Sequence, residues 1–141
     1  MHIKKWLSWF AVLAWMAVIF SFSSQQGSDS GSLSGSIVTF ILQFLPDGFF
    51  SHDTAHLILR KGAHLTVYLI LGVLTANALR FSGLTGRKTF AYALIICALY
   101  ATSDEIHQGF VPGRGPSALD VLIDSVGAAI GIGFFQLFSR K

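Results

Sequence analysis

The stretch LDVLIDSVGAAIGIGFFQLF (119–138) decides the fold. Apart from two aspartates near its start it is apolar or small throughout, and at 1.5 Å per residue it covers the ~30 Å hydrocarbon core of a bilayer. Asp120, Asp124, Gly127 and Gly131 fall at i, i+4, i+7 and i+11, on one helical face. The two glycines form a GxxxG pair that lets a neighbouring helix approach closely. An aspartate near the centre of a span costs ~2.5–3.5 kcal/mol on insertion scales. Both aspartates are therefore expected to point into a bundle and away from lipid.

Working outward, three more apolar runs of similar character occupy residues 6–22, 62–79 and 90–103. With 52% hydrophobic and only 12% charged side chains, the chain is far from the globular norm of roughly a quarter charged residues. Too little polar surface exists to cover a soluble helical core. The expected fold is all-α, a single domain over 1–141 that forms an integral membrane bundle of four transmembrane helices. Its partner is the lipid bilayer and its location the plasma membrane. Lys4 and Lys5 before an apolar run resemble a secretory signal, but the run is longer than the usual 7–15 residues and no A-x-A site follows, so a retained anchor is expected. The lone Cys97, mid-way along the third run, reads as a small buried hydrophobe.

Net charge is +3, yet the basic residues lie in pairs at segment ends with no basic stripe, which excludes nucleic-acid binding and points to membrane orientation. With four spans, Lys4, Lys5, Arg80, Arg87, Lys88, Arg140 and Lys141 fall on one side. Arg60, Lys61 and Arg114 share the other with all seven acids: Asp29, Asp47, Asp53, Asp104, Glu105, Asp120 and Asp124. The positive-inside rule then gives an N-in, C-in topology with the loops 23–61 and 104–118 outside. The first outer loop opens with SSQQGSDSGSLSGS (23–36), a flexible link by composition. It continues with 37–45, a run too short to span, which reads as an interfacial or re-entrant helix ending at the turn signal Pro46-Asp47-Gly48. From His52 the pattern is unbroken, so one helix is expected to start outside and run into the second span.

Polar residues recur at helical spacing near the outer face. Lys61, His64 and Tyr68 share a face of the second long helix, and Asp104, His107 and Gln108 a face of the third. Together with Asp120 and Asp124, and with Ser23, Ser24 and Gln25 at the end of the first span, they suggest an outward-opening site. His64 or His107 suits a general base oriented by Asp104, Glu105 or Asp124, while Arg60, Lys61 or Arg114 suits a phosphate. His64, Glu105, His107, Asp120 and Asp124 are also ligand types for zinc or another divalent ion, though no signature such as H-E-x-x-H is present. The competing structural reading is that Arg60, Lys61 and Arg114 simply neutralise Asp104, Glu105, Asp120 and Asp124 and fix helix register.

The blocks FSFSSQ (20–25), RKGAHLTVY (60–68) and SDEIHQGFVPGRGPSALDVLIDSVGA (103–128) resemble the signature blocks of the VanZ-like membrane protein family. The resemblance implies a small bacterial multi-span protein of the cell envelope, in a family whose founding member is associated with resistance to the glycopeptide teicoplanin. It carries the family pattern onto Arg60, Lys61, His64, Tyr68, Asp104, Glu105, His107, Gln108, Arg114, Asp120, Asp124 and Gly127. One departure is Val67, where many relatives have an acidic residue. The expected function is binding of, or action on, a lipid-linked or cell-wall head group or a glycopeptide-related ligand. A small proton- or cation-coupled transporter and a non-catalytic scaffold are the alternatives.

Overall fold

The computed structural model describes residues 2–25, 35–40, 43–44 and 51–139. These form helices α1 (His2–Ser23), α2 (35–40), α3 (His52–Phe81), α4 (Gly86–Gln108) and α5 (Ala118–Phe138), with no strand among the described residues. The expected all-α architecture is the one observed, and α1, α3, α4 and α5 are each long and apolar enough to cross a membrane. Their exposed surface is correspondingly apolar: Phe10 and Leu13 on α1, Leu99 on α4, Leu122 and Phe134 on α5. Side chains of this kind left on the outside find their solvent in lipid.

The 30 residues of α3 extend ~45 Å, well beyond a ~30 Å hydrocarbon core. The helix expected to begin at His52 does so. Ser51 caps it, its hydroxyl accepting the Thr54 N–H at 3.2 Å, and Asp53 in the first turn suits the positive end of the helix dipole. α4 continues past the apolar run 90–103 through SDEIHQ to Gln108, which places Asp104, His107 and Gln108 on the third long helix as expected. Nothing in that segment breaks a helix before Gly109, and its inner face buries Asp104, Glu105 and Gln108. The short helix expected in the first outer loop is present as α2, with Val38 buried and Thr39 Oγ1 3.5 Å from His52 Nε2. Most of the Ser/Gly-rich link (26–34), the Pro46-Asp47-Gly48 turn and the terminal Arg140 and Lys141 lie outside the described residues.

The long helices alternate in direction, so the bundle has two chemically different ends. At one end Trp9 Nε1 donates to Ser82 Oγ at 3.0 Å, Asn77 Nδ2 to Ser8 Oγ at 3.3 Å, and Gln136 Nε2 to the Gly86 carbonyl at 2.8 Å. Lys4, Lys5, Arg80, Arg87 and Lys88 gather at this basic end. The turn that closes it needs left-handed backbone at Gly83 (φ 93°) and Gly86 (φ 59°). The buried acids gather at the opposite end, which we call the polar end.

α3 is the hub, touching α1, α4 and α5, and it lies most intimately against α5. A Cβ built on Gly127 or Gly131 would run into the backbone carbonyl of Leu65 or Leu69, and one on Gly72 of α3 into that of Ala128. The GxxxG face thus seats α5 backbone against α3 backbone. Gly133, off this face, has nothing near its missing Cβ. Cys97 is buried in the adjoining core with Leu71, Ala101 and Ala128. Gly127→Ala and Gly131→Ala should each destabilise the bundle by about 1–3 kcal/mol, since backbone must move to admit the methyl group. Thermal unfolding in detergent checks this, with Gly133→Ala expected to unfold like the parent.

Candidate functional site

Four helix segments meet at the polar end: the last turn of α1, the N-terminal half of α3, the last two turns of α4 and the first two of α5. α5 is tied to α4 at its start, where the Ser117 N–H donates to Glu105 Oε2 at 2.9 Å while the Ser117 hydroxyl accepts the Asp120 N–H at 3.3 Å. This N-cap sets the rotation of α5 that turns Asp120 and Asp124 toward α3. Lys61 Nζ donates to Asp120 Oδ1. One turn deeper, His64 Nδ1 lies 3.3 Å from Asp124 Oδ1 and 3.5 Å from Oδ2, with Asp124 fully buried.

Around Asp104 a second network joins α1 to α4. The Ser23 hydroxyl donates to Asp104 Oδ2 at 2.8 Å and Gln108 Nε2 donates to the same oxygen at 3.2 Å. Arg114 in turn donates to Gln108 Oε1 at 3.3 Å and to the Phe22 carbonyl at 3.5 Å. Gly113, with φ 77°, supplies the left-handed turn that brings Arg114 back over the bundle. Burial, and then the neighbouring Arg60 charge, pull the Arg114 guanidinium below its ordinary value, while Asp104 and Glu105 act in the opposite direction.

Between α1, α2 and α3 lies a cavity of about 310 Å³. Its walls are Ile19, Phe22, Ile37, Leu59, Ala63 and Val67, and its polar lining is Ser23, Gln25, Arg60, His64, Tyr68, Asp104 and Arg114. Neither Arg60 nor Arg114 has a carboxylate within ion-pair distance among the described residues. The expected pairing of Arg60, Lys61 and Arg114 with the four acids is thus seen only for Lys61 and Asp120. Two guanidinium groups without a described counter-ion border an apolar-walled cavity.

The structure brings His64, Tyr68, Asp104, Glu105, Gln108, Arg114, Asp120, Asp124, Lys61, Arg60 and Gln25 to this end of the bundle. His107 stands apart from His64: it stacks on Phe20 with ring centroids 4.5 Å apart, and its Nε2 meets the Ser24 hydroxyl at 3.1 Å. Along α4 it lies on the side facing α1, whereas Glu105 faces α5. Ser23 was visible beside Ser24 in FSFSSQ, but only a structure shows which of the two serines meets Asp104. Ser117 escaped the sequence reading: besides its capping hydroxyl it contributes a backbone N–H to Glu105, which no side-chain pattern reports. Four buried polar atoms here have no hydrogen-bond partner: Tyr68 Oη, Asp104 Oδ1, Glu105 Oε1 and Asp124 Oδ1.

Removing Lys61 alone leaves Asp120 buried without its counter-charge. Lys61→Met should therefore destabilise the protein by up to about 3 kcal/mol, the low end for a broken buried pair because Lys61 is one-quarter exposed. The double change Lys61→Met with Asp120→Leu should recover most of that loss in the same unfolding measurement.

Comparison with known proteins returned no match among curated proteins and none among solved structures. The VanZ/LLP1 family model, by contrast, matches residues 8–139 and so takes in every residue of the polar end. The chain is a multi-pass membrane protein of the VanZ/LLP1 family.

Proposed function

We propose that the polar end faces outward from the plasma membrane and that its cavity binds the anionic head group of a lipid-linked or cell-wall precursor, through which the protein affects susceptibility to glycopeptides such as teicoplanin. The observation that carries this reading is the pair Arg60 and Arg114, unpaired with any described carboxylate and lining one apolar-walled cavity. A phosphate or diphosphate supplies the missing counter-charge, and guanidinium groups match its oxygens with paired hydrogen bonds. The side chains of Ile19, Phe22, Ile37, Leu59 and Val67 then accept the first methylenes of the lipid chain. The outward orientation follows from the basic residues at the other end. The family membership supports the cell-envelope context.

The reading is tested with the purified protein in lipid nanodiscs and a short-chain prenyl diphosphate. The diphosphate should bind, and both the corresponding prenyl alcohol and inorganic phosphate should bind more weakly. Arg60→Ala and Arg114→Ala should each weaken it about tenfold or more, the loss of one charge-assisted contact, whereas Arg87→Ala at the opposite end should not. Equal binding of the alcohol, or indifference to both arginine changes, would sink the proposal. In a teicoplanin-susceptible bacterium, expression of the chain should raise the teicoplanin concentration that stops growth, and the two arginine variants should not.

A further inference from the structure

We propose that His64, Glu105 and Asp124 form a binding site for a divalent transition-metal ion, with zinc the best fit, immediately behind the cavity wall at His64. The three residues come from α3, α4 and α5, and one ligand atom from each lies within 4.8 Å of the other two. Glu105 is 3% exposed and Asp124 0%. One oxygen of each, Glu105 Oε1 and Asp124 Oδ1, has no hydrogen-bond partner. At this depth in a membrane bundle an unsatisfied carboxylate oxygen is costly, and Asp124 Oδ1 has only His64 Nδ1 near it, at 3.3 Å.

Among the described residues no lysine or arginine forms an ion pair with Glu105 or Asp124, and the basic group beside them is His64. Lys61 is held by Asp120, and Arg114 donates to Gln108. That leaves Glu105 and Asp124 as two negative charges, which one divalent ion cancels. The geometry points the same way. With bonds of ~2.05 Å, ligand atoms on one tetrahedral ion stand about 3.3 Å apart. His64 Nδ1 and Asp124 Oδ1 are 3.3 Å apart, longer than the ~2.8 Å of a good charge-assisted hydrogen bond.

The donor set narrows the ion. One imidazole with two carboxylates suits zinc, which accepts three protein ligands and leaves a fourth position open, whereas magnesium and calcium prefer oxygen alone. A further orphan lies one turn beyond His64 on the same helix: Tyr68 is fully buried and lines the cavity, and its hydroxyl has no partner. His64 belongs to both the triad and the cavity lining, so an ion here adjoins whatever the cavity holds.

The ion site stands without the head-group reading, and its test contains no lipid phosphate. Protein in a non-chelating detergent is stripped with chelator, equilibrated with Zn²⁺, freed of excess and analysed for bound metal. One zinc per chain is expected, with Glu105→Gln and Asp124→Asn each weakening binding by about 100-fold or more, above the 10–100-fold typical of losing an outer-shell partner. Asp53→Asn, at the exposed start of α3, should bind as the parent does. Cobalt substitution of the unaltered protein gives a second readout that survives any folding defect in the variants, since a tetrahedral nitrogen and oxygen site is intensely coloured and aqueous cobalt is not. A parent chain that stays metal-free at saturating zinc, a cobalt spectrum like that of the aqueous ion, or undiminished binding in well-folded Glu105→Gln and Asp124→Asn would each overturn the proposal.

Discussion

α5 lies against α3 at backbone contact distance, and the arrangement of the polar end depends on that contact. Glycines at 127, 131 and 72 leave the space into which the carbonyls of Leu65, Leu69 and Ala128 fit. Between lipid-solvated helices no hydrophobic force drives association, so close packing of this kind has to supply much of the attraction. The same contact fixes rotation and register. Residues one and two turns N-terminal to Gly127 on its face are Asp124 and Asp120; Asp124 meets His64, next to Leu65, and Asp120 meets Lys61, one turn before Leu65. A helix held a few ångströms farther out would leave those acids in a gap between helices.

The charges brought in this way fall into two kinds. Lys61 with Asp120 is a closed pair, and a scaffold reading explains it fully. Glu105 and Asp124 are different, because they converge on one another and on His64 with oxygens left unsatisfied, and helix register alone gives no reason to pay for that. Arg60 and Arg114 complete the contrast. Rather than neutralising these acids directly, they border the cavity, and Arg114 spends its donors on Gln108 and the Phe22 carbonyl. Asp104 shares that cavity with the two arginines, whereas Glu105 and Asp124 do not line it.

Much of this was legible in the sequence because lipid simplifies the code. Runs of apolar residues gave four spans, and the i, i+4, i+7, i+11 series from Asp120 to Gly131 identified the face that α5 buries. The continuous helix from His52 followed from the lack of any breaker. That Asp104, His107 and Gln108 belong to the third long helix followed from their i, i+3 and i+4 spacing, although the apolar run itself ends at 103. His107 and His64 could not be separated by spacing, since which of α4's faces meets α1 and which meets α5 depends on crossing geometry. The expectation that three cations neutralise four acids was reasonable from composition and failed in detail, because the turn at Gly113 sends Arg114 to Gln108 and not to a carboxylate.

The depth of the polar residues bears on whether they relay ions across the membrane or serve a site open to one side. A relay needs ionisable or hydrated groups spaced through the full thickness of the bundle. Below the level of Tyr68 and Asp124, the buried described residues are Leu71, Ala76, Ala78, Leu79, Ala93, Cys97, Ala128 and Ile132, interrupted by the hydroxyls of Thr75 and Thr89. Cys97 is the only titratable group among them, and its thiol lies 3.8 Å from Thr75 Oγ1. Glycine packing closes this part of the bundle between α3 and α5, leaving a proton or cation no ladder of carboxylates to follow. The buried acids of α4 and α5, with their partners on α1 and α3, lie within a few turns of one end, and the cavity lies at that end, whereas the polar contacts of the opposite end are made by Ser8, Asn77, Ser82 and Gln136, which carry no charge.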